Sequence, residues 1–117
     1  MVTEDATYNV RFTPTMMPQI AAANSLSATY VAKFGSTHFP MWDDVAVAIW
    51  LDPTIITTQR TVAVDVDLDR GANYGATLSW SPDKQPHLGE PTVTAVLAVD
   101  ADRARNIFLK RVTATRP

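Results

Sequence analysis

A chain of 117 residues with 46% hydrophobic and 19% charged side chains can bury one core as a single domain, 1–117, and is too apolar for disorder. Its net charge of −2 gives no electrostatic basis for binding nucleic acid or an anionic membrane. The absence of Cys excludes disulfides, thiolate zinc sites and a Cys nucleophile, and two His argue against a multi-His metal site.

No segment reaches the ~18 consecutive apolar residues of a membrane span. The N-terminus, MVTEDATYNV, lacks the basic-then-apolar pattern of a signal peptide, so the default location is cytoplasmic. Residues 3–13 alternate weakly and predict a short strand or extended entry segment. Thr15 is a candidate N-cap, with Pro18 in the first turn, where a missing N–H costs little. Over 16–34, Ile20, Ala23, Leu26, Tyr30, Val31 and Phe34 recur near the helical period, and Gly35 is a natural stop.

Residues 36–41 read as a loop ending in Pro40. From Asp43 to Leu51 the apolar residues cover every face, which predicts a short buried helix closed by Asp52-Pro53. Residues 60–68 alternate strictly. Val62, Val64, Val66 and Leu68 are expected to face inward, with Ala63, Asp65 and Asp67 facing outward. A turn at 70–75, a second strand at 75–80 and a Pro-rich loop at 81–91 follow. Residues 92–99 are apolar on both faces, as in a covered strand. Asp100 can cap a last helix with Ala104, Ile107, Phe108 and Val112 inward and Lys110-Arg111 near its C-terminus. Strands grouped between helices predict an α+β fold: helices around a small, largely antiparallel three-stranded sheet.

Most polar clusters have a plain structural reading. Asp65-Val66-Asp67-Leu68-Asp69-Arg70-Gly71 mimics the opening of an EF-hand loop. Its Gly falls at loop position 7 instead of 6, however, and Ala76 stands where a bidentate Glu is needed. His38 and His87 sit in Pro-flanked loops far apart in sequence and read as surface residues. Gly71 to Gly75 reads as a hairpin turn. Trp42, Asp43 and Asp44 have two readings. Either acid suits a helix N-terminus, with Trp42 stapling the helix to the core. The alternative is that the cluster sets a hard carboxylate ligand for Ca2+ beside an aromatic platform suited to a planar base.

Read in order, these pieces resemble the C-terminal third of the inosine/uridine-preferring nucleoside hydrolase family. The likeness runs through Glu4-Asp5-Ala6-Thr7, the helical stretch 16–34, and Met41-Trp42-Asp43-Asp44 leading into an apolar helix. It continues through Leu51-Asp52-Pro53, Thr57-Thr58-Gln59-Arg60 and the strand from Val62 to Leu68. Tyr74-Gly75-Ala76-Thr77-Leu78 and Leu97-Ala98-Val99-Asp100-Ala101-Asp102 complete it. No single piece is strongly specific; the order and spacing are.

The resemblance implies hydrolysis of the N-glycosidic bond of ribonucleosides with a bound Ca2+ that holds the ribose diol and the attacking water. It makes Asp43 the late calcium ligand. It makes Trp42 a substrate-binding residue that stacks on the leaving base, at a position where many members carry a proton-donating His and purine-preferring members a Trp. Two departures stand out. The family's N-terminal Asp-x-Asp-x-Gly-x-Asp-Asp motif is absent here, and so is the middle segment that grips the ribose. One carboxylate cannot hold Ca2+, which takes six to eight oxygens. The expectation is therefore the C-terminal segment of a larger α/β enzyme, inactive alone and completed by the N-terminal part. The alternative is a non-catalytic interaction or self-association module derived from that family.

Overall fold

The computed structural model describes residues 1–23, 25–34 and 40–114. Its elements in chain order are α1 (Glu4–Tyr8), α2 (Met17–Ala22), α3 (Leu26–Phe34), α4 (Trp42–Leu51), β1 (Ile56–Val66), β2 (Thr77–Trp80), β3 (Thr92–Val99) and α5 (Ala101–Val112). Short 3-10 turns, each opening on Pro, lie at Pro14–Met16, Pro53–Ile55 and Pro82–Lys84. The result is the expected α+β arrangement. The sheet is antiparallel with order β2-β1-β3, running from Ile56↔Val99 to Ala63↔Thr92 on one side and from Ala63↔Trp80 to Val66↔Thr77 on the other.

The core lies between the helices and the β1–β3 end of the sheet. Val10, Phe12, Ile20, Met41, Val45 and Ile55 are its largest fully buried side chains. Phe12 meets Phe108 of α5 edge to face, with ring centroids 6.1 Å apart. Asp100 caps α5 by accepting from the Arg103 N–H at 3.0 Å. Ala104 is buried there, and Ile107, Phe108 and Val112 pack on the cluster as expected. Arg103 in turn donates to Asp52 Oδ2 at 2.8 Å and to the Thr54 carbonyl at 3.0 Å, tying α5 to the turn after α4.

Five local expectations are corrected. Residues 3–13 are not a strand: Thr3 caps α1, with Glu4 and Asp5 in its first turn. Only Val2, in a parallel bridge to Val96, and Arg11, bridged to Pro40, are strand-like. The stretch 16–34 is two helices. Ala23 is extended, and the Ser25 hydroxyl, accepting from the Ala28 N–H at 3.0 Å, starts α3 afresh. Thr13, not Thr15, precedes the first turn of this region, with Pro14 at its first position.

Helix α4 is buried on one side only. Val45 and Ala48 are inside, whereas Trp42, Val47, Trp50 and Leu51 are exposed. In β1, Val62 and Ala63 are both buried, so Ala63 does not face outward as expected, whereas Val66 and, just past the strand, Leu68 are exposed where the chain runs beyond its pairing with β3. The middle of β3 is covered on both faces, as Ala95 and Val96 show. The expected stop at Gly35 and the loop residues 36–39, His38 among them, lie outside the described residues. Among the described residues, no helix is long and apolar enough to cross a membrane.

Candidate functional site

Two chain segments converge on one hollow. The first is the N-terminal stretch, held along β3. The Val96 N–H donates to the Met1 carbonyl at 2.9 Å, and the Thr3 N–H donates to the Val96 carbonyl at 3.2 Å. The Thr3 hydroxyl donates to the same carbonyl at 2.6 Å. The Thr3 oxygen also accepts from the Ala6 N–H at 3.4 Å, so strand-like backbone turns into α1 at this point. Among the described residues Thr7 is the one buried polar residue, and its hydroxyl donates to the Glu4 carbonyl at 2.9 Å.

The second segment is the start of α4. Met41 is 1% exposed, and its N–H donates to the Val10 carbonyl at 2.9 Å, which anchors the helix mouth in the core. With Met41 directed inward, the next residues emerge at the surface. Trp42 is 59% exposed, and Asp43 is exposed beside it. Between the two segments lies an open cavity of about 490 Å³ lined by Val2, Thr3, Glu4, Thr7, Trp42, Asp43 and Ala46.

The structure thus puts the two residues singled out from the sequence, Trp42 and Asp43, on the wall of one cavity. Asp44 is half-buried, and burial pushes its carboxyl above the ordinary value, with the Asp43 charge acting in the same direction. The cavity also contains residues that sequence reasoning did not assign to a site: Thr3, Glu4 and Thr7. The available signal was a Thr followed by two acids, a helix start, which weak alternation concealed.

The other candidates stay apart from it. His87 lies between β2 and β3, outside the cavity lining, with a left-handed φ of 62°. Asp65 and Asp67 accept from the backbone N–H groups of Val66 and Asp69, so the EF-hand-like run is occupied with its own strand end and turn.

The chemistry of the cavity wall suits a planar, hydroxylated ligand: an exposed indole face beside carboxylate acceptors. It does not suit a calcium ion by itself. The wall offers two carboxylates, Glu4 and Asp43, and among the described residues no group of three or more His, Cys, Asp or Glu could hold a metal. Six to eight oxygens are needed.

A family model described as inosine-uridine preferring nucleoside hydrolase matches residues 1–106. No curated protein is significantly similar to the chain. Among solved structures, a plant nucleoside hydrolase superposes with a TM-score of 0.78 at 22% identity, over 96% of this chain and 40% of its own. An inosine-guanosine nucleoside hydrolase gives 0.76 at 16% identity, over 97% of this chain and 38% of its own. A purine-preferring ribonucleoside hydrolase from Gardnerella vaginalis gives 0.70 at 21% identity, over 97% and 39%. At such identities the likeness is one of fold. The chain spans about 40% of the length of these structures.

Proposed function

The chain belongs to the inosine-uridine preferring nucleoside hydrolase family, and from that premise we propose that it is the C-terminal part of a calcium-dependent nucleoside N-ribohydrolase leaning toward purines. The observation that carries this reading is the meeting of Trp42 and Asp43 at one cavity. Asp43 would join the calcium ligands once the N-terminal part supplies the others. Trp42 would hold the base. An indole N–H does not ionise usefully, so Trp42 contributes a stacking face instead of a proton, and a purine presents the larger face to it. The names of two of the structural relatives, inosine-guanosine and purine-preferring, support the same leaning. The substrate of the complete enzyme would be a ribonucleoside, and the reaction the hydrolysis of its N-glycosidic bond. The 117-residue chain alone would be inactive, since its cavity wall lacks the ligands for the ion.

The test is reconstitution. The chain is joined to a family N-terminal part carrying Asp-x-Asp-x-Gly-x-Asp-Asp, and purine nucleoside hydrolysis is followed with Ca2+ present. Asp43→Ala should cost more than the roughly 10–100-fold in metal affinity that even an outer partner of a metal site costs. Unchanged activity would remove Asp43 from the site. Trp42→Ala should raise KM for inosine or guanosine by roughly 10- to 100-fold, in line with ~1–3 kcal/mol per stacked base, and affect uridine less.

A second reading, a non-catalytic module that binds a partner or itself, is favoured by the bare apolar side of α4, where Val47, Trp50 and Leu51 face solvent. It requires that the joined protein show neither turnover nor Ca2+ dependence.

A further inference from the structure

The cavity beside Trp42 has charge of one sign only. Its wall carries two carboxylates, Glu4 and Asp43, and among the described residues no Lys, Arg or His lines it. The Arg103–Asp52 and Arg105–Asp102 ion pairs use neither acid. Glu4 stands in the first turn of α1, behind the Thr3 cap, where its carbonyl accepts from the Thr7 hydroxyl at 2.9 Å. In the function proposed above Asp43 goes to the calcium ion. Glu4 does not, and it shares the wall with the exposed indole of Trp42. An indole face attracts a cation through its π-electrons, and a carboxylate attracts one by charge. The walls of a cleft lined by one sign of charge strengthen that field. A neutral planar base would use the stacking face alone; a planar base with a positive charge would use both groups.

The chemistry of departure points the same way. When a neutral base leaves a ribose, the electron pair of the C1′–N bond makes the base an anion unless a proton reaches another ring nitrogen. Trp42 cannot supply that proton, since its N–H does not ionise usefully. When the base already carries a fixed positive charge, the same electron pair cancels it. The C1′–N bond breaks, the oxygen of water bonds to C1′, one water proton passes to solvent, and the base leaves neutral with no acid required. We propose that the cavity selects N-ribosides whose base carries a fixed positive charge, an N7-alkylated purine or a pyridinium, with Trp42 stacked on the ring and Glu4 facing its charge. The substrate role rests on the hydrolase reading.

Binding to the 117-residue chain tests it, with 7-methylguanosine and guanosine as probes that differ by a methyl group and a charge. In mildly acidic buffer, where the methylated base is a cation, NMR titration should show it bound about 10-fold tighter than guanosine. Glu4→Gln keeps the size of the side chain and should lose most of that preference. Asp69→Asn removes the same charge outside the cavity lining and should keep it. Equal affinity of the wild-type chain for the two nucleosides, a preference that survives Glu4→Gln, or one that Asp69→Asn removes equally would each overturn the proposal. Turnover by the joined protein separates the two levels. The ratio of kcat/KM for 7-methylguanosine to that for guanosine should fall about 10-fold in Glu4→Gln, through KM. The greater lability of the charged nucleoside cancels in that comparison. Guanosine hydrolysis with a ratio unmoved by Glu4→Gln would leave the hydrolase standing and overturn the proposal. Hydrolysis of neither nucleoside would overturn the hydrolase reading, and the substrate role with it.

Discussion

Asp43 and Asp44 are adjacent in sequence and differ in environment. Asp43 stands on the cavity wall, while Asp44 is half-buried, with its carboxyl held above the ordinary 3.8 first by burial and then by the charge of Asp43. A carboxyl whose pKa is raised on folding keeps its proton better in the folded chain than in the unfolded one. Its contribution to stability is therefore complete below the unfolded value and is lost as pH rises through the folded value. Asp44→Asn should match wild type in Tm at pH 3 and exceed it at pH 6 to 7; thermal unfolding at those pH values checks it. A variant less stable at pH 7 would mean that the Asp44 charge is favoured by the helix N-terminus more than burial disfavours it. Asp52 behaves oppositely. Its bond from the Thr54 hydroxyl, the largest cause, together with Arg103, lowers its pKa, so this clamp loosens only as pH falls below 3.8. At this scale the site was partly legible. Trp42 and Asp43 were conspicuous as polar residues at the mouth of an apolar run. Glu4 and Thr7 were not, because they reach the cavity only through a helix that weak alternation disguised as a strand.

At the scale of elements, strong local signals held and weak periodicities did not. Asp100 reads as a cap in the sequence and is one, so Asp100→Ala should cost about 1 kcal/mol in a denaturant titration. Phe12 has no cap or period to announce it, yet it is fully buried against Phe108, and Phe12→Ala should cost about 3–5 kcal/mol. With total stabilities of about 5–15 kcal/mol for single domains, and a quarter of this chain outside the core, that change should leave the chain largely unfolded by circular dichroism. The three strands were legible because β-branched alternation and Pro- and Gly-rich breaks bounded them. The break at Ser25 was missed because a helical period passes smoothly through it; only the hydroxyl cap reveals the restart. The exposure of α4 was missed for a different reason. Apolar residues on every face imply a cover, and sequence periodicity cannot say whether that cover belongs to the same 117 residues.

At the scale of the whole molecule, the proposed need for a second part to complete the cavity has a measurable consequence. A ligand that binds only the folded state stabilises it by RT ln(1 + [L]/Kd). With two carboxylates on the cavity wall and no cluster of three or more His, Cys, Asp or Glu that could hold a metal among the described residues, the isolated chain should hold Ca2+ with a Kd no tighter than about 1 mM, in the range of weak extracellular calcium modules. At 1 mM Ca2+ the gain is then at most about 0.4 kcal/mol. For a domain of about this size, 1 kcal/mol moves Tm by roughly 4 °C, so the melting curve should shift by less than about 2 °C. Joined to the N-terminal part, the same chain should gain several-fold more, and Asp43→Ala should return the shift toward zero. Differential scanning calorimetry of both forms, with and without Ca2+, separates the outcomes. A rise of about 10 °C in the isolated chain would correspond to more than 2 kcal/mol. A site that strong would already be complete within these 117 residues, and the need for a second part would fall away.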